Sequence, residues 1–290
     1  MTIPPDLRAA VEEELGRISR VAPVGGGSIS EACRIDLDEK TAFLKFERAA
    51  PRGFFTVESE GLKLLGAVSS GLRVPEVLAC EEAESWSWLA LEWLETGPGS
   101  GDHGGKLGAA LARLHQERRN AFGWERDGFI GSLAQDNAPM QSWPGFWLER
   151  RLLPQLELAW SRGELPRREE WHRLMQALPD SLATGDEEGP SLLHGDLWSG
   201  NVVVTPDGPG VVDPACYWGH REVDLAMTEL FGGFDGAFYS AYSQAWPLRP
   251  GYEHRKRVYQ LYYLLVHVNL FGAGYVSRTH ETLRLALTAV

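Results

Sequence analysis

The chain has 290 residues, with 28 Lys and Arg against 40 Asp and Glu and a formal charge of −12. That length allows two lobes or one large domain, and the acidic balance argues against a generic nucleic-acid footprint. Cys33, Cys80 and Cys216 lie far apart with no CxxC spacing, which disfavours a zinc site or a disulfide framework and suits a reducing, cytoplasmic setting.

The N-terminal "MTIPPDLRAAVEEELG" opens with Pro and acids. It lacks a basic segment followed by an apolar one, so no signal peptide is expected. Helical periodicity runs through Leu7, Val11, Leu15 and Ile18. "PVGGGSISEACRIDLDEKTAFLKFE" reads as a Gly-rich turn, a strand, a polar turn and a second strand with Lys45 near its end. "FFTVESEGLKLLGAV" places Phe55, Leu62 and Leu65 at roughly helical spacing. "VLACEEAESWSWLALEWL" reads as two strands across an acidic turn, and the breaker-rich "ETGPGSGDHGG" as a linker between lobes.

Beyond the linker the pattern is mostly helical. "KLGAALARLHQ", "PGFWLERRLLPQLELAW" and "REEWHRLMQAL" are expected helices, and "FGWERDGFIGSLAQDNAPMQSW" a long loop of the kind that often carries function. The apolar "VYQLYYLLVHVNLFGAGY" contains Gln260, His267 and Asn269. It is too short and polar for a membrane span and is read as a buried helix.

The chemistry begins at "LLHGDLWSGNVVV". Two short β-prone runs, Leu192-Leu193 and Val202-Val203-Val204, enclose a polar loop in which Asp196 and Asn201 lie five apart. An Asp can accept a proton, and an Asn carbonyl can bind a hard cation. Protein kinases use this spacing in the catalytic loop. Taken alone, the stretch reads equally well as a polar Asx turn. The strand "GVVD" then ends at Asp213, which lies 12 residues after Asn201 across a hairpin turn at "TPDGPG". Pairing would return Asp213 to the loop, where it and Asn201 make a plausible Mg²⁺ pair completed by ATP phosphates. Lys45 is the only Lys inside an apolar strand, downstream of Gly25-Gly26-Gly27, and suits a cation over phosphates. Glu58 is its candidate partner, with Glu60 second. Asp224, before an apolar helix, suits a structural cap for the backbone N–H groups of His194 and Gly195.

The order of these parts resembles the protein-kinase-like fold, and the HGD form resembles its small-molecule branch of aminoglycoside and choline kinases. "GGGSISEACRI", "KFE", "FFTVESEGLKLL", "FGWERDGFIGSLAQDN", "HGDLWSGN" and "DPACYWGHREVDLAMTELFGGF" together resemble the fructosamine kinase (ketosamine-3-kinase) family. The resemblance implies an α+β, bilobal fold. Residues 1–94 would form a small β-rich, ATP-binding N-lobe, and residues 95–290 a larger, mainly helical C-lobe with the catalytic loop and acceptor pocket.

It further implies an ATP- and Mg²⁺-dependent kinase acting on the 3-hydroxyl of a ketosamine, free or on a protein lysine, with neither nucleic acid nor membrane as partner. Asp196 would be the catalytic base, and Asn201 and Asp213 the metal ligands. Gly25, Gly26, Gly27, Ser28, Lys45, Glu58, Glu92 and Leu94 would hold the nucleotide. Trp198, Trp218 and His220 would face the acceptor, with Arg221 beside them, against the alternative readings of His220 as a satisfied buried histidine, which is the favoured one, and of Trp198 as a core ring covering the loop; His194 and Asp224 would be structural. Ser28 stands where several relatives carry Cys, which speaks against redox control through that loop. Trp218 stands where Tyr is expected. The competing readings are an aminoglycoside- or choline-like kinase and a nucleotide-binding protein without chemistry. Intact Lys45, Asp196, Asn201 and Asp213 argue against the last.

Overall fold

In "EACRIDL" and "TAFLKFER" every second side chain is apolar, so one face of each strand must be covered. In the computed structural model, which describes residues 3–25, 30–83, 85–97, 101–166 and 168–288, these segments are β2 (Glu31–Leu37) and β3 (Thr41–Arg48). With β1 (Ile18–Pro23), β4 (Val77–Glu82) and β5 (Trp86–Glu92) they form an antiparallel sheet in the order β1-β2-β3-β5-β4. Cys33, Ile35, Ala42, Leu44 and Phe46 turn to one face and share a core with Leu7 and Val11 of helix α1 (Pro5–Leu15). Gly16, at φ +90°, ends α1. Ile18, expected on the helical stripe, therefore begins β1 instead.

The alternation that buries Leu44 and Phe46 sends Lys45 to the other face. Helix α2 (Phe54–Gly66) packs against β4 and β5. Its N-terminus is held by Glu82, which accepts from the Gly53 N–H at 2.9 Å and the Thr56 hydroxyl at 2.9 Å.

The chain divides into two compact units, Met1–His103 with Gly200–Pro214, and Gly104–Ser199 with Ala215–Val290. The late segment in the first unit is a two-stranded hairpin in which Val202–Thr205 pairs with Gly208–Val211. This division by packing follows other boundaries than the expected one between residues 94 and 95.

The second unit opens within α3 (His103–Leu114). The expected long loop contains a two-stranded hairpin, β6 (Gly128–Ile130) with β7 (Leu133–Gln135). Helix α4 (Trp143–Trp147) runs through a π-helical turn (Leu148–Leu152) into α5 (Leu153–Ser161). Then come α6 (Arg168–Ser181), α7 (Ala183–Glu188) and β8 (Ser191–Leu193). A 3-10 turn (Ser199–Asn201) leads to β9 (Val202–Thr205) and β10 (Gly208–Val211).

β11 (Tyr217–Gly219) pairs antiparallel with β8, Tyr217 opposite Leu193. Helices α8 (Glu222–Phe231), α9 (Gly236–Ala245), α10 (Tyr252–Phe271) and α11 (Val276–Leu287) complete the unit. α10 is buried along most of its length, as the sequence implies, and packs on α8. Its Arg255 meets the carboxylate of Glu222 through two 2.7 Å bonds. Among the described residues no helix is long and apolar enough to cross a membrane.

Candidate active site

Within the first unit, α2 turns Phe55, Leu62 and Leu65 inward. Glu58 falls on the same stripe, three residues after Phe55 and four before Leu62. It meets Lys45 from the sheet, whose Nζ donates to Glu58 Oε1 at 2.8 Å and Oε2 at 3.0 Å. The same Nζ donates to Asp213 Oδ1 at 3.0 Å. Lys45 and Glu58 side chains are only 11% and 13% exposed, and Asp213 is 39% exposed. Burial alone would lower the Lys45 pKa, but Glu58 and Asp213 outweigh it and hold the ammonium charged well above its usual range. Burial pushes Glu58 up, Lys45 pulls it down, and Asp213 adds to the rise.

The β9–β10 hairpin carries Asp213 into this group. Thr205 pairs with Gly208 and Val202 with Val211. Arg73 fixes the hairpin from the sheet side, donating its N–H to Pro209 O at 2.8 Å and accepting from the Val211 N–H at 2.9 Å. The return closes on Asn201, whose carbonyl accepts the Val212 N–H at 3.0 Å. The Asn201 amide donates to the Asp213 carbonyl at 3.4 Å. Asp213 itself sits at φ +55°, a left-handed conformation that Asp tolerates better than most residues. A carboxylate and an amide beside a fixed ammonium make an oxygen donor pair suited to a hard cation shared with phosphate oxygens.

Glu92 accepts a short bond from Arg73 and the Glu76 N–H at 3.2 Å, so its carboxylate is engaged at the end of β5. Leu94, just beyond β5, is half-buried, and Gly25 is exposed at the end of β1 with nothing within 4 Å of the place a Cβ would take. Gly26, Gly27 and Ser28 lie outside the described residues.

Within the second unit, the loop after β8 is held by its backbone. Asp224, fully buried at the start of α8, accepts the His194 N–H at 2.8 Å and the Gly195 N–H at 2.9 Å. The Tyr263 hydroxyl donates to Gly195 O at 2.7 Å. Ala215 N–H donates to His194 O at 2.9 Å. Gly195 has φ +82°, and a Cβ there would lie 2.0 Å from Ala215 O, so only glycine fits. The Asp196 N–H donates to His194 Nδ1 at 3.3 Å. His194 is buried, Asp196 half-buried and Trp198 40% exposed. Asp196 is thus the ionisable side chain of a rigid, backbone-clamped loop.

Trp218 and His220, expected at the acceptor pocket, are both buried. The Arg119 guanidinium covers the Trp218 ring at 3.8 Å, with Trp124 edge-on. His220 has both ring nitrogens engaged, by the Tyr259 hydroxyl at 2.7 Å and Glu188 at 3.0 Å. Arg221 beside it grips Glu188 at 2.7 Å and 2.9 Å. His220 and Arg221 brace the approach to α8, their buried polar atoms engaged by Tyr259 and Glu188, whereas the buried Trp218 Nε1 has no hydrogen-bond partner among the described residues. Trp198 alone of the three is open to a ligand. Sequence reasoning missed His115, Tyr242, Tyr263 and Glu188. Their signal was present: a polar ring or carboxylate set within an otherwise apolar helical stretch or at a helix end.

The sequence profile of fructosamine kinases matches residues 6–289. A probable ketoamine kinase of Enterococcus faecium is 40% identical over 267 residues, covering 91% of this chain and 94% of the relative. A chloroplastic protein-ribulosamine 3-kinase of Arabidopsis thaliana is 36% identical over 271 residues, covering 92% and 82%. The crystal structure of a putative fructosamine-3-kinase from Thermobifida fusca aligns with a TM-score of 0.86 at 38% identity, covering 97% and 98%. An aminoglycoside phosphotransferase aligns at 0.63 and 16% identity over 96% and 98%, a likeness of fold alone.

Proposed function

Because the chain belongs to the fructosamine kinase family, and is therefore a phosphotransferase of the protein-kinase-like fold, we propose that it moves the γ-phosphoryl group of ATP to the 3-hydroxyl of a ketosamine. Residues 1–94 act as the ATP-binding lobe and 95–290 as the catalytic and acceptor lobe, in the cytoplasm. The observation that carries the reading is the Lys45 ammonium fixed between Glu58 and Asp213. A buried cation held by two carboxylates has little purpose in a core, but serves phosphate oxygens well.

In this reading Lys45 orients the phosphates, and Glu58 keeps it extended. Gly25, Gly26, Gly27 and Ser28 are assigned to nucleotide binding by their sequence, and Glu92 and Leu94 likewise. Asn201 and Asp213 would hold Mg²⁺, which when bound neutralises the charge that develops on the transferred group. Asp196 accepts the proton of the attacking hydroxyl. Its place on a clamped loop means that little reorganisation is needed at the moment of transfer. Trp198 offers an exposed ring to the sugar or amine portion. The names of the relatives support fructosamine and ribulosamine acceptors, including protein-linked ones.

The test is to incubate the enzyme with Mg-ATP and a fructosyl-amine, a ribulosyl-amine, a glycated protein, choline and an aminoglycoside, then to locate the phosphate by NMR. Phosphate on the 3-oxygen of the ketosamines is the expected result. Turnover of choline or the aminoglycoside with none of the ketosamines would overturn the reading.

A further inference from the structure

The clamp on the HGD loop does not end at Asp224. His115, fully buried one residue past α3, presents Nε2 to Asp224 Oδ2 at 3.1 Å and Nδ1 to the Tyr242 hydroxyl at 2.8 Å. That hydroxyl lies 3.4 Å from Arg221 NH1. Arg221 is fixed in turn by Glu188 and by the Trp246 and Pro247 carbonyls at 3.0 Å and 2.8 Å.

Donor chemistry sets one direction for this chain. Arg221 can only donate, so the Tyr242 oxygen accepts from it and the hydroxyl proton points to His115. His115 Nδ1 accepts that proton, which leaves the ring's own N–H on Nε2, facing a carboxylate that can only accept. Burial pushes the imidazole pKa down against the pull of Asp224, consistent with a neutral ring. Asp224 then spends both oxygens on the backbone of His194 and Gly195. Donation thus runs from the Arg221 cation through Tyr242 and His115 to the Asp224 anion, where the two loop N–H donors converge on the same carboxylate, an arrangement in which each bond polarises the next.

We propose that His115 is a positioning residue for phosphoryl transfer: through Asp224 it fixes the backbone of His194 and Gly195, and so the place of Asp196. The imidazole selects one orientation of the Asp224 carboxylate, the one that meets both loop amides. Without it Asp224 can rotate, and the loop loses the geometry that a general base needs. The kinetic part of this proposal rests on the ketosamine-kinase reading. The structural part does not.

The experiment compares His115→Leu, His115→Gln and the milder Tyr242→Phe in the full chain. Steady-state kinetics are paired with hydrogen exchange read at the His194 and Gly195 amides. In His115→Leu, kcat should fall roughly 10- to 100-fold, the range for a small misplacement made away from the reacting atoms, with the KM for ATP unmoved. Exchange at the two loop amides should rise while that in the five-stranded sheet stays unchanged.

His115→Gln, which keeps an N–H within reach of Asp224, should recover most of both. Tyr242→Phe should move both readouts in the same direction by less, and it decides the matter should His115→Leu fail to fold. Unaltered kcat and loop exchange in a folded variant would overturn the proposal. So would a uniform rise in exchange that His115→Gln does not reverse, since that marks a merely structural role. Absence of ketosamine turnover in the wild-type enzyme would defeat the functional reading and leave the exchange measurement to judge the positioning.

Discussion

The two functional groups are held by different physics. In the first unit Lys45, Glu58 and Asp213 are held by charge through side chains, and Asp213 remains partly exposed. In the second unit the loop bearing Asp196 is held by main-chain N–H and C=O groups on buried partners, Asp224 and Tyr263. A charge-held group can exchange partners when phosphate and a cation arrive, because its ligands are already ionic. A backbone-held loop cannot, and so fixes a reacting group in advance. Under the proposed function, the adaptable ligands would serve the nucleotide and the rigid placement would serve proton transfer.

The comparison makes ranked predictions. Asp196→Asn should lower kcat by roughly 10²–10⁴ with nucleotide affinity nearly intact. Purified mutant enzyme turning over at the wild-type rate would refute the assignment of Asp196 as base. Asp224→Ala should be the largest stability loss. It strands two buried backbone donors and the His115 N–H, at about 1–3 kcal/mol for each buried group left unpaired. Thermal melts check this, and an unchanged Tm with lost activity would move Asp224 from the clamp to the chemistry.

Asp213→Ala should act on the other side of the comparison. The Mg²⁺ midpoint of activity should rise about tenfold or more, equivalent to about 1.4 kcal/mol, because the charged oxygen donor is gone while the fold retains its sheet. A midpoint that stays in place would show that Asp213 serves Lys45 and not the metal.

A smaller effect concerns pH. Burial alone would raise Glu188, yet Arg221 and His220 outweigh it and hold its carboxyl well below the usual carboxylate range. A carboxyl lowered in the folded state stabilises fully above its unfolded value, near ~4.3, and that stability is lost as pH falls toward the folded value. Glu188→Gln should therefore cost about 1–3 kcal/mol at neutral pH, with the difference from wild type shrinking in acid. Urea melts at neutral and strongly acidic pH measure it. A gap that widens in acid would reverse the sign argued here. Smallest of all, Trp198→Ala should raise the acceptor KM several-fold and spare that of ATP, as base–ring stacking on the order of 1–3 kcal/mol suggests for exposed aromatic platforms. An unchanged acceptor KM would return Trp198 to a packing role.

Much of this was legible in the chain because it is local. Period-2 alternation marked β2 and β3, and the same alternation set Lys45 apart from Leu44 and Phe46. The hairpin turn at Pro206-Asp207 made the return of Asp213 toward Asn201 readable before any fold was known. Glu58 could be picked because it shares the stripe of Phe55 and Leu62.

What stayed hidden was non-local. Nothing near His115 in sequence names Asp224, which is separated from it by 109 positions. The burial of Trp218 and His220 depends on Arg119, Tyr259 and Glu188, none of which is a neighbour in the chain. Local errors also have causes. Gly16 cut short a helical stripe that periodicity alone carried to Ile18, and the β6–β7 strands are only three residues each, too short to show a period.

The hairpin Gly200–Pro214 packs with Met1–His103, and this bears on how the chain is made. A ribosome adding roughly 5–20 residues per second completes the five-stranded sheet well before the hairpin emerges. For that interval the nascent first unit presents the Lys45 and Glu58 pair without Asp213, and the Arg73 backbone without Pro209 and Val211 to pair with it. Those backbone groups of Arg73 are then open to wrong partners until residue 214 leaves the tunnel. Release of a prematurely ended chain anywhere between residues 104 and 199 would leave them so permanently. Such fragments should be held by chaperones or degraded, while the native order of synthesis closes the first unit only after most of the second has been made.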